Sequence, residues 1–516
     1  MPGTISNRSG GLLAAAFGLL LALLLWAPAP AEAARQPNVI VITTDDQTLE
    51  EMRPEVMPFT SSFFARQGTT FSNAVVVSPS CCPSRAAYLS GEYPHNNGVF
   101  ANSPGYPSLK QKSNTLPVWM KRAGYRTIHI GKYLNHYGDA DGWATAAPGW
   151  KKWYTLASYK YLGYRLARGG IVKTFGDRNR DYLTRRLNTK TENFIRRSAG
   201  KKQPFYIQLD QFAPHSEVSS TPGRCQEAAQ PDPLDIGLFT DEPLPQDGLL
   251  PADRSFNEED LSDKSPALAQ RPALGPDGIA KVETRYRCQL AALQGVDRGV
   301  QRIHEALTAT GQLRNTAIFF TSDNGFFHGE HRLPNNKGFP YEEGIRVPLL
   351  ARLPPRYTLD PPETISEPVA NIDITASVAD LGDAEPCNAR ACRRLDGRSL
   401  LGLLGSGDPS WPEGRALLVE QGRFQYFCQP YASIWTPRSL YVEYPTQLQS
   451  TDPCKVETEH YEMPTDPLQL QNRFPAQPGT GAATRQATLK LRLDRLRDCS
   501  GIEGREEPLL DQPFCE

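Results

Sequence analysis

The chain lacks an excess of either charge: 56 Lys+Arg stand against 57 Asp+Glu in 516 residues, a formal net charge of -1. A polyphosphate partner calls for a cationic surplus, so no nucleic-acid partner is expected. No apolar run after the first thirty-odd residues is long enough to cross a bilayer, so no stable membrane span is expected in the mature chain. The ten cysteines lack the paired spacing of a zinc site. No internal repeat is visible, and the one Asn-x-Ser sequon, Asn7-Arg8-Ser9, falls in the leader, so nothing requires a glycosylated product. Gly (41) and Pro (45) are plentiful, which points to long ordered loops and excludes a coiled coil.

What is present begins with a leader. Arg8 precedes an apolar run from about Leu12 to Trp26, followed by the small-x-small site Ala31-Glu32-Ala33. That pattern predicts a signal peptide over residues 1–33 and a secreted or extracytoplasmic protein, the alternative being an uncleaved anchor. In an oxidising compartment Cys225, Cys288, Cys387, Cys392, Cys428, Cys454, Cys499 and Cys515 suggest up to four disulfides. Sequence neighbours make Cys387–Cys392, Cys428–Cys454 and Cys499–Cys515 the natural loops, with connectivity open.

Four apolar runs end in polar clusters. Asn38 to Thr44 is β-branched, too short for a helix, and followed by Asp45-Asp46. Thr127 to Ile130 leads into Gly131-Lys132, Pro204 to Leu209 into Ala213-Pro214-His215, and Ala317 to Thr321 into Asp323-Asn324-Gly325. Helical periodicity lies between them, for example from Thr284 to Leu307. Alternating strands and helices predict a mainly parallel α/β sheet, whose ligands bind beyond the carboxyl ends of the strands. If the four strands are neighbours, one rim holds three carboxylates, an amide, a lysine and a histidine. Singly these are ordinary turn residues. Together the acids and the amide form a hard oxygen set suited to Ca²⁺ or Mg²⁺.

The distinctive segment is Ser80-Cys81-Cys82-Pro83-Ser84-Arg85-Ala86-Ala87-Tyr88-Leu89-Ser90-Gly91. It reads as a helix with Pro83 early and Gly91 just past its end. Cys81 then sits where free N–H groups and the helix dipole favour an anion, and Arg85 adds a forked cation about one turn later. The plain alternative is a structural thiol on a capped helix.

Cys81-x-Pro83-Ser84-Arg85 followed by Ala86-Ala87-x-Leu89-Ser90-Gly91 resembles the signature of the type I sulfatases, within the alkaline-phosphatase-like superfamily. Asp45-Asp46 after the first strand, Gly131-Lys132, Ala213-Pro214-His215, Ser322-Asp323-Asn324-Gly325, Lys337 and Tyr341 to Pro348 resemble further family motifs in order, as does Tyr461 to Asn472. Leu89 to Asn96, Gly131 to Asn135 and Phe212 to Ser216 resemble the N-acetylglucosamine-6-sulfatase-like branch. One departure stands out: many sulfatases carry a histidine two residues after the lysine, where this chain has Leu134, and His136 is the nearby substitute.

The resemblance implies an alkaline-phosphatase-like, mixed but mostly parallel sheet flanked by helices, with a smaller C-terminal α+β domain built on an antiparallel sheet. It implies that Cys81 is converted to formylglycine by a formylglycine-generating enzyme, while Cys82 stays a buried thiol. It implies one divalent cation, Ca²⁺ or Mg²⁺, held by Asp45, Asp46, Asp323 and Asn324 together with residue 81. Lys132 and Lys337 would neutralise sulfate oxygens, Arg85 would brace residue 81, and His215 would touch substrate and deliver a proton to the leaving oxygen. A hydrated aldehyde offers two hydroxyls, so one can attack sulfur and the other can drive release of sulfate, where a thiol would trap the adduct. His328 and His331 are secondary candidates for substrate contact.

These parts predict a signal peptide over 1–33, a catalytic domain over 34–410 and a smaller domain over 411–516. Cys225 to Asp277, rich in Pro and Asp, reads as a long surface loop region. Ala416 to Glu420 and Arg438 to Tyr444 read as antiparallel strands, and Ala487 to Arg497 as a closing helix. The expected function is hydrolysis of a sulfate ester, with a 6-sulfated N-acetylglucosamine or an aryl sulfate as substrate. The competing readings are a formylglycine-dependent phosphodiester or phosphonate-ester hydrolase and a binding protein on the same fold.

Overall fold

The computed structural model describes residues 1–4, 36–139, 142–217, 225–246, 248–358, 360–405, 411–422, 430–444 and 458–516. The expected leader, but for its first four residues, and the pair Cys428–Cys454 lie outside these. Everything below concerns the compact unit Pro37–Glu516.

Four strands carry the site: β1 (Asn38–Thr44), β2 (Arg126–Gly131), β3 (Phe205–Asp210) and β4 (Thr316–Ser322). They are neighbours in the order β4-β1-β3-β2, all parallel, at the centre of a ten-stranded sheet. Register places Thr43 beside both Asp210 and Thr321, and Gly131 beside Asp210, so the four carboxyl ends lie level. The condition attached to the sequence reading, that these strands adjoin, is met.

Burial on both faces explains the near-continuous apolar runs. Val39 and Val41 of β1 enter one core cluster, while Ile40 and Ile42 enter another on the opposite face. Each such side chain contributes about 1.5–3 kcal/mol through burial. Strand β5 (Leu349–Arg352) continues the sheet antiparallel to β4, and the far edge is an antiparallel hairpin, Arg165–Arg168 with Ile171–Thr174. Helices cover the faces: α1 (Pro58–Gln67), α2 (Cys81–Ser90), α3 (Leu183–Ser198), α4 (Pro276–Ala309) and α5 (Asn371–Leu381). Helix α4 starts eight residues before the periodicity expected at Thr284, with Gly275 as its N-cap and Pro276 in its first turn.

The antiparallel sheet expected after Trp411 is present, with Leu417–Gln421, Tyr431–Thr436, Ser439–Glu443 and Thr458–Tyr461 paired in that order. Helix α6 (Gly481–Arg497) packs on it through Leu489, Leu493 and Leu496, while Leu491 points out and is 66% exposed. Cys387–Cys392 and Cys499–Cys515 are bonded as expected, and a third bridge, Cys225–Cys288, ties the long loop region to α4.

Candidate active site

Each strand end contributes through a local device. Gly131 ends β2 at φ +119, where a Cβ would lie 1.7 Å from the Asp210 carbonyl oxygen, so only glycine lets the chain turn and Lys132 point to the rim. Asp46 after β1 adopts a left-handed backbone at φ 70, held by its N–H donating to Asp323 Oδ1 at 3.1 Å. Gly325 after β4 approaches the Glu343 carbonyl so closely that a Cβ would lie 2.0 Å from its oxygen. All ten residues of α2 are buried, and Gly91 ends it in a left-handed conformation with its N–H donating to Ala87 O at 2.7 Å.

These devices bring the expected residues together. Cys81 Sγ lies 3.3 Å from Asp45 Oδ1 and receives a hydrogen bond of 2.8 Å from Lys337 Nζ. Lys132 Nζ donates to Asp45 Oδ2 at 2.5 Å, and Lys337 Nζ donates also to Asp46 Oδ1. Arg85 Nε donates to Asp323 Oδ2 at 2.7 Å, and its Nη1 donates to the Lys132 carbonyl at 3.2 Å. His215 Nε2 stands 3.7 Å from Asp46 Oδ2. Its Nδ1 lies 2.5 Å from the Ser216 carbonyl, which can only accept, so Nδ1 carries a proton and Nε2 is the atom left to exchange one.

Charge in this buried cluster is nearly balanced. Burial alone would raise the Asp45 carboxyl, but Lys132, His215, Arg85 and Lys337 hold it well below the usual range. Asp323 goes the other way, to about 6, because burial and the neighbouring Asp45 outweigh its cations. Burial, with Asp45 beside it, pushes the Cys81 thiol far up, so it is no thiolate nucleophile. Desolvation lowers His215 against the pull of Asp45 and Asp46.

Ligand atoms of Asp45, Asp46, Cys81 and Asp323 all lie within 4.8 Å of one another, and all four residues are buried. Asn324 joins them: its Nδ2 donates to Asp46 Oδ1 at 2.6 Å, while its Oδ1 is buried without a hydrogen-bond partner. An orphaned amide oxygen beside three carboxylates is the donor set of a hard divalent cation, so the residues fit the expected metal.

The structure adds residues that sequence reasoning did not single out. Asp210, the last residue of β3, accepts from Tyr88 Oη at 2.7 Å, lies 3.0 Å from His129 Nε2, and pairs with Arg85 Nη1 at 3.3 Å. Tyr161 Oη donates to the His215 carbonyl at 2.9 Å, and the Phe212 ring stacks on the His215 ring at 5.1 Å. Asp210 follows the same strand-end rule that nominated Asp45. His129 and Tyr161 leave no such signal.

Three histidines fall elsewhere. His136 is exposed and pairs with Asp139 at 2.7 Å, while Leu134 is buried in the core. His328 is buried against Gln289 Oε1 at 2.6 Å, and His331 against Glu258 Oε2 at 2.6 Å. Beside the cluster opens a cleft of about 480 Å³, whose lining includes Asp46, His215, Lys337, Glu217, Arg285 and Asn336.

The fold is alkaline-phosphatase-like, and the rim of its sheet gathers a caged residue 81, a hard-cation donor set and two buried lysines. The family model of the sulfatases matches residues 37–384, and the chain belongs to that family. It is 33% identical over 417 residues to human N-acetylglucosamine-6-sulfatase, covering 78% of this chain and 70% of that protein. It is 30% identical over 401 residues to the extracellular sulfatase SULF-1 homolog of Drosophila melanogaster, covering 75% of this chain and 33% of that protein. Its fold resembles that of BT4656 in complex with D-glucosamine-2-N,6-O-disulfate, at TM-score 0.69 and 24% identity, covering 89% of this chain and 97% of that one. The chain is therefore a hydrolase of sulfuric esters in the N-acetylglucosamine-6-sulfatase-like branch.

Proposed function

We propose that this sulfatase removes the 6-O-sulfate of a glucosamine unit in a sulfated carbohydrate, outside the cytoplasm, with residue 81 matured from cysteine to formylglycine by a separate enzyme. One observation carries the reading. Cys81 Sγ sits between Lys337 Nζ at 2.8 Å and Asp45 Oδ1 at 3.3 Å, buried and protonated, in a cage that suits a hydrated aldehyde and wastes a thiol.

The residues divide the work. Asp45, Asp46, Asp323 and Asn324, together with residue 81, would hold the divalent cation, with Ca²⁺ the ion suited to so many oxygen donors. Bound there, the ion would supply positive charge beside the sulfate oxygens and the attacking hydroxyl. Lys132 and Lys337, beside Asp45 and Asp46, take the remaining sulfate oxygens as point charges. Arg85, locked by Asp323, the Lys132 carbonyl and Asp210, positions α2 and so residue 81. His215 Nε2 faces the leaving alcohol oxygen, its other nitrogen being committed to Ser216, and gives up a proton from the doubly protonated ring that Asp45 and Asp46 favour against desolvation. The cleft of about 480 Å³ falls within the usual range of about 300–1,000 Å³ for small-ligand sites, and Arg285, Glu217 and Asn336 give it polar groups for a sugar.

Peptide mass spectrometry across residue 81 of secreted protein tests the maturation, with a loss of about 18 Da expected relative to cysteine. Release of sulfate from 6-O-sulfated N-acetylglucosamine, set against its 3-O- and 4-O-sulfated isomers and matched phosphate esters, tests the substrate. Preference for another isomer would overturn the substrate reading and leave the chemistry standing.

A further inference from the structure

Charge is even over the whole chain but not along it. Residues 151–202 contain 15 Lys+Arg and 3 Asp+Glu, so the remainder carries an acidic excess. The segment forms the edge hairpin of the large sheet and helix α3. In the hairpin Leu166 pairs with Lys173 and Arg168 with Ile171, which puts Arg168 and Lys173 on one face. Tyr154, on the neighbouring strand Lys152–Leu156, shares that face by alternation, since Leu156 pairs with Leu166.

Helix α3 closes over the same face. Lys190 Nζ lies 4.2 Å from the centre of the Tyr154 ring, and the Arg168 guanidinium lies 5.5 Å from it. Lys173 and Arg186 flank the Phe175 ring at 5.2 and 5.6 Å. Arg186, Lys190 and Arg197 follow one another at helical spacing, a stripe about 16 Å long. Lys190 and Arg197 line a shallow recess of about 200 Å³ with Tyr154 and Phe194. Arg186 pairs with Asp181 at 2.7 Å. Among the described residues Arg168, Lys173, Lys190 and Arg197 have no carboxylate within ion-pair distance. Glu192, the one acid on α3, is taken by Arg196 and Arg302.

Like charges crowded this way repel, and burial with Arg168, Arg186 and Lys173 nearby pulls Lys190 below its ordinary range. We propose that this face, framed by Arg168, Lys173, Lys190 and Arg197, is a docking surface for a linear sulfated polysaccharide, holding the polymer whose sulfate groups the active site removes. The proposal rests on the carbohydrate-sulfate reading above. Sulfate groups along such a chain supply the anions that these side chains lack. A nucleic acid suits the face less well, because the Tyr154 and Phe175 rings on which bases would stack are already occupied by cations.

The test compares the full-length enzyme with an Arg168→Gln/Lys173→Gln/Lys190→Gln variant. Binding to a heparin dodecasaccharide is measured against salt, alongside turnover of a small aryl sulfate. The variant is expected to bind the dodecasaccharide about tenfold more weakly at low salt, with a shallower salt slope, and to keep aryl-sulfate turnover within about twofold. Arg168→Glu alone, at an exposed hairpin position, repeats the loss without touching the helix. Unchanged binding by both variants overturns the proposal, as does wild-type binding of a DNA duplex or phosphatidylserine vesicles as tight as that of the dodecasaccharide. Because binding is read directly, a failure of the 6-O-sulfate reading would appear only in turnover of the sulfated N-acetylglucosamine isomers and would leave this binding result standing.

Discussion

Two regions of the molecule are rich in cations, and they treat them in opposite ways. At the rim of the sheet Lys132, Lys337 and Arg85 are buried, and each sits on a carboxylate. On the edge face Arg168, Lys173, Lys190 and Arg197 lie against rings or solvent, and among the described residues none is paired with an acid. The contrast follows from desolvation. A buried ammonium without a counter-charge is too costly to keep, whereas a partly solvated one can wait for its anion. The rim is therefore a site whose charges are arranged before substrate arrives, and the edge is a surface whose charges are completed by what binds.

The sharpest way to break the comparison is at residue 81. Cys81→Ala removes the nucleophile while leaving Lys337, Lys132 and the acids in place. Turnover is expected to fall by about four orders of magnitude, and the melting temperature to change little. Initial rates on a chromogenic sulfate check it, and residual activity within tenfold of wild type would show that the caged residue is not the reacting one.

Next in size is Lys337→Met. It takes away a sulfate-binding charge, so turnover should drop about 100-fold to 1,000-fold. It also leaves Asp46 buried without its ammonium, a loss of about 3 kcal/mol by analogy with broken buried pairs. The two effects separate on adding a divalent ion, which is expected to raise the variant's melting temperature more than that of wild type without restoring turnover. The matching control lies away from the rim. Arg415 and Asp373 form a pair that is wholly buried, with Nη1 to Oδ2 at 2.6 Å, and neither touches the active-site cluster. Arg415→Met should cost about 3 kcal/mol in denaturant unfolding with turnover per folded molecule unchanged.

Most of the rim was legible because its residues follow β-branched runs, whose buried faces permit few other readings. The level register of β4, β1, β3 and β2 turns those four sequence neighbourhoods into one place. The supports were not legible. Asp210 obeys the strand-end rule but is itself the last residue of its strand, so the run read as ending at Leu209 passes it over. His129 sits inside β2, where alternation hides it, and Tyr161 reaches the His215 carbonyl from a loop 54 residues away. Residues that meet only through tertiary packing leave no local pattern. Helix α4 begins before the periodic stretch because Gly278 and the short Asp277 to Lys281 segment carry no apolar repeat, although Pro276 in the first turn marks the start. Leu491 lies between Leu489 and Leu493 in the sequence but points to solvent, because two residues along a helix turn a side chain to the other face.

The smallest expected effect concerns a cation whose charge is optional, which places it between the two regions. His95 is largely buried, its Nδ1 2.8 Å from Glu420 Oε1 on the small sheet and its Nε2 2.9 Å from the Cys499 carbonyl. Burial disfavours the charged ring, but Glu420 prevails and raises it to about 9. A group raised on folding stabilises fully below its unfolded value, about 6.5, and that contribution is lost as pH climbs through 9. At neutral pH the contribution is about 2 kcal/mol. His95→Gln should therefore melt well below wild type at pH 6, with the gap closing between pH 7 and 10, as melting curves across that range would show. A gap independent of pH would mean that His95 stays neutral and donates to only one of its two acceptors, Glu420 and the Cys499 carbonyl.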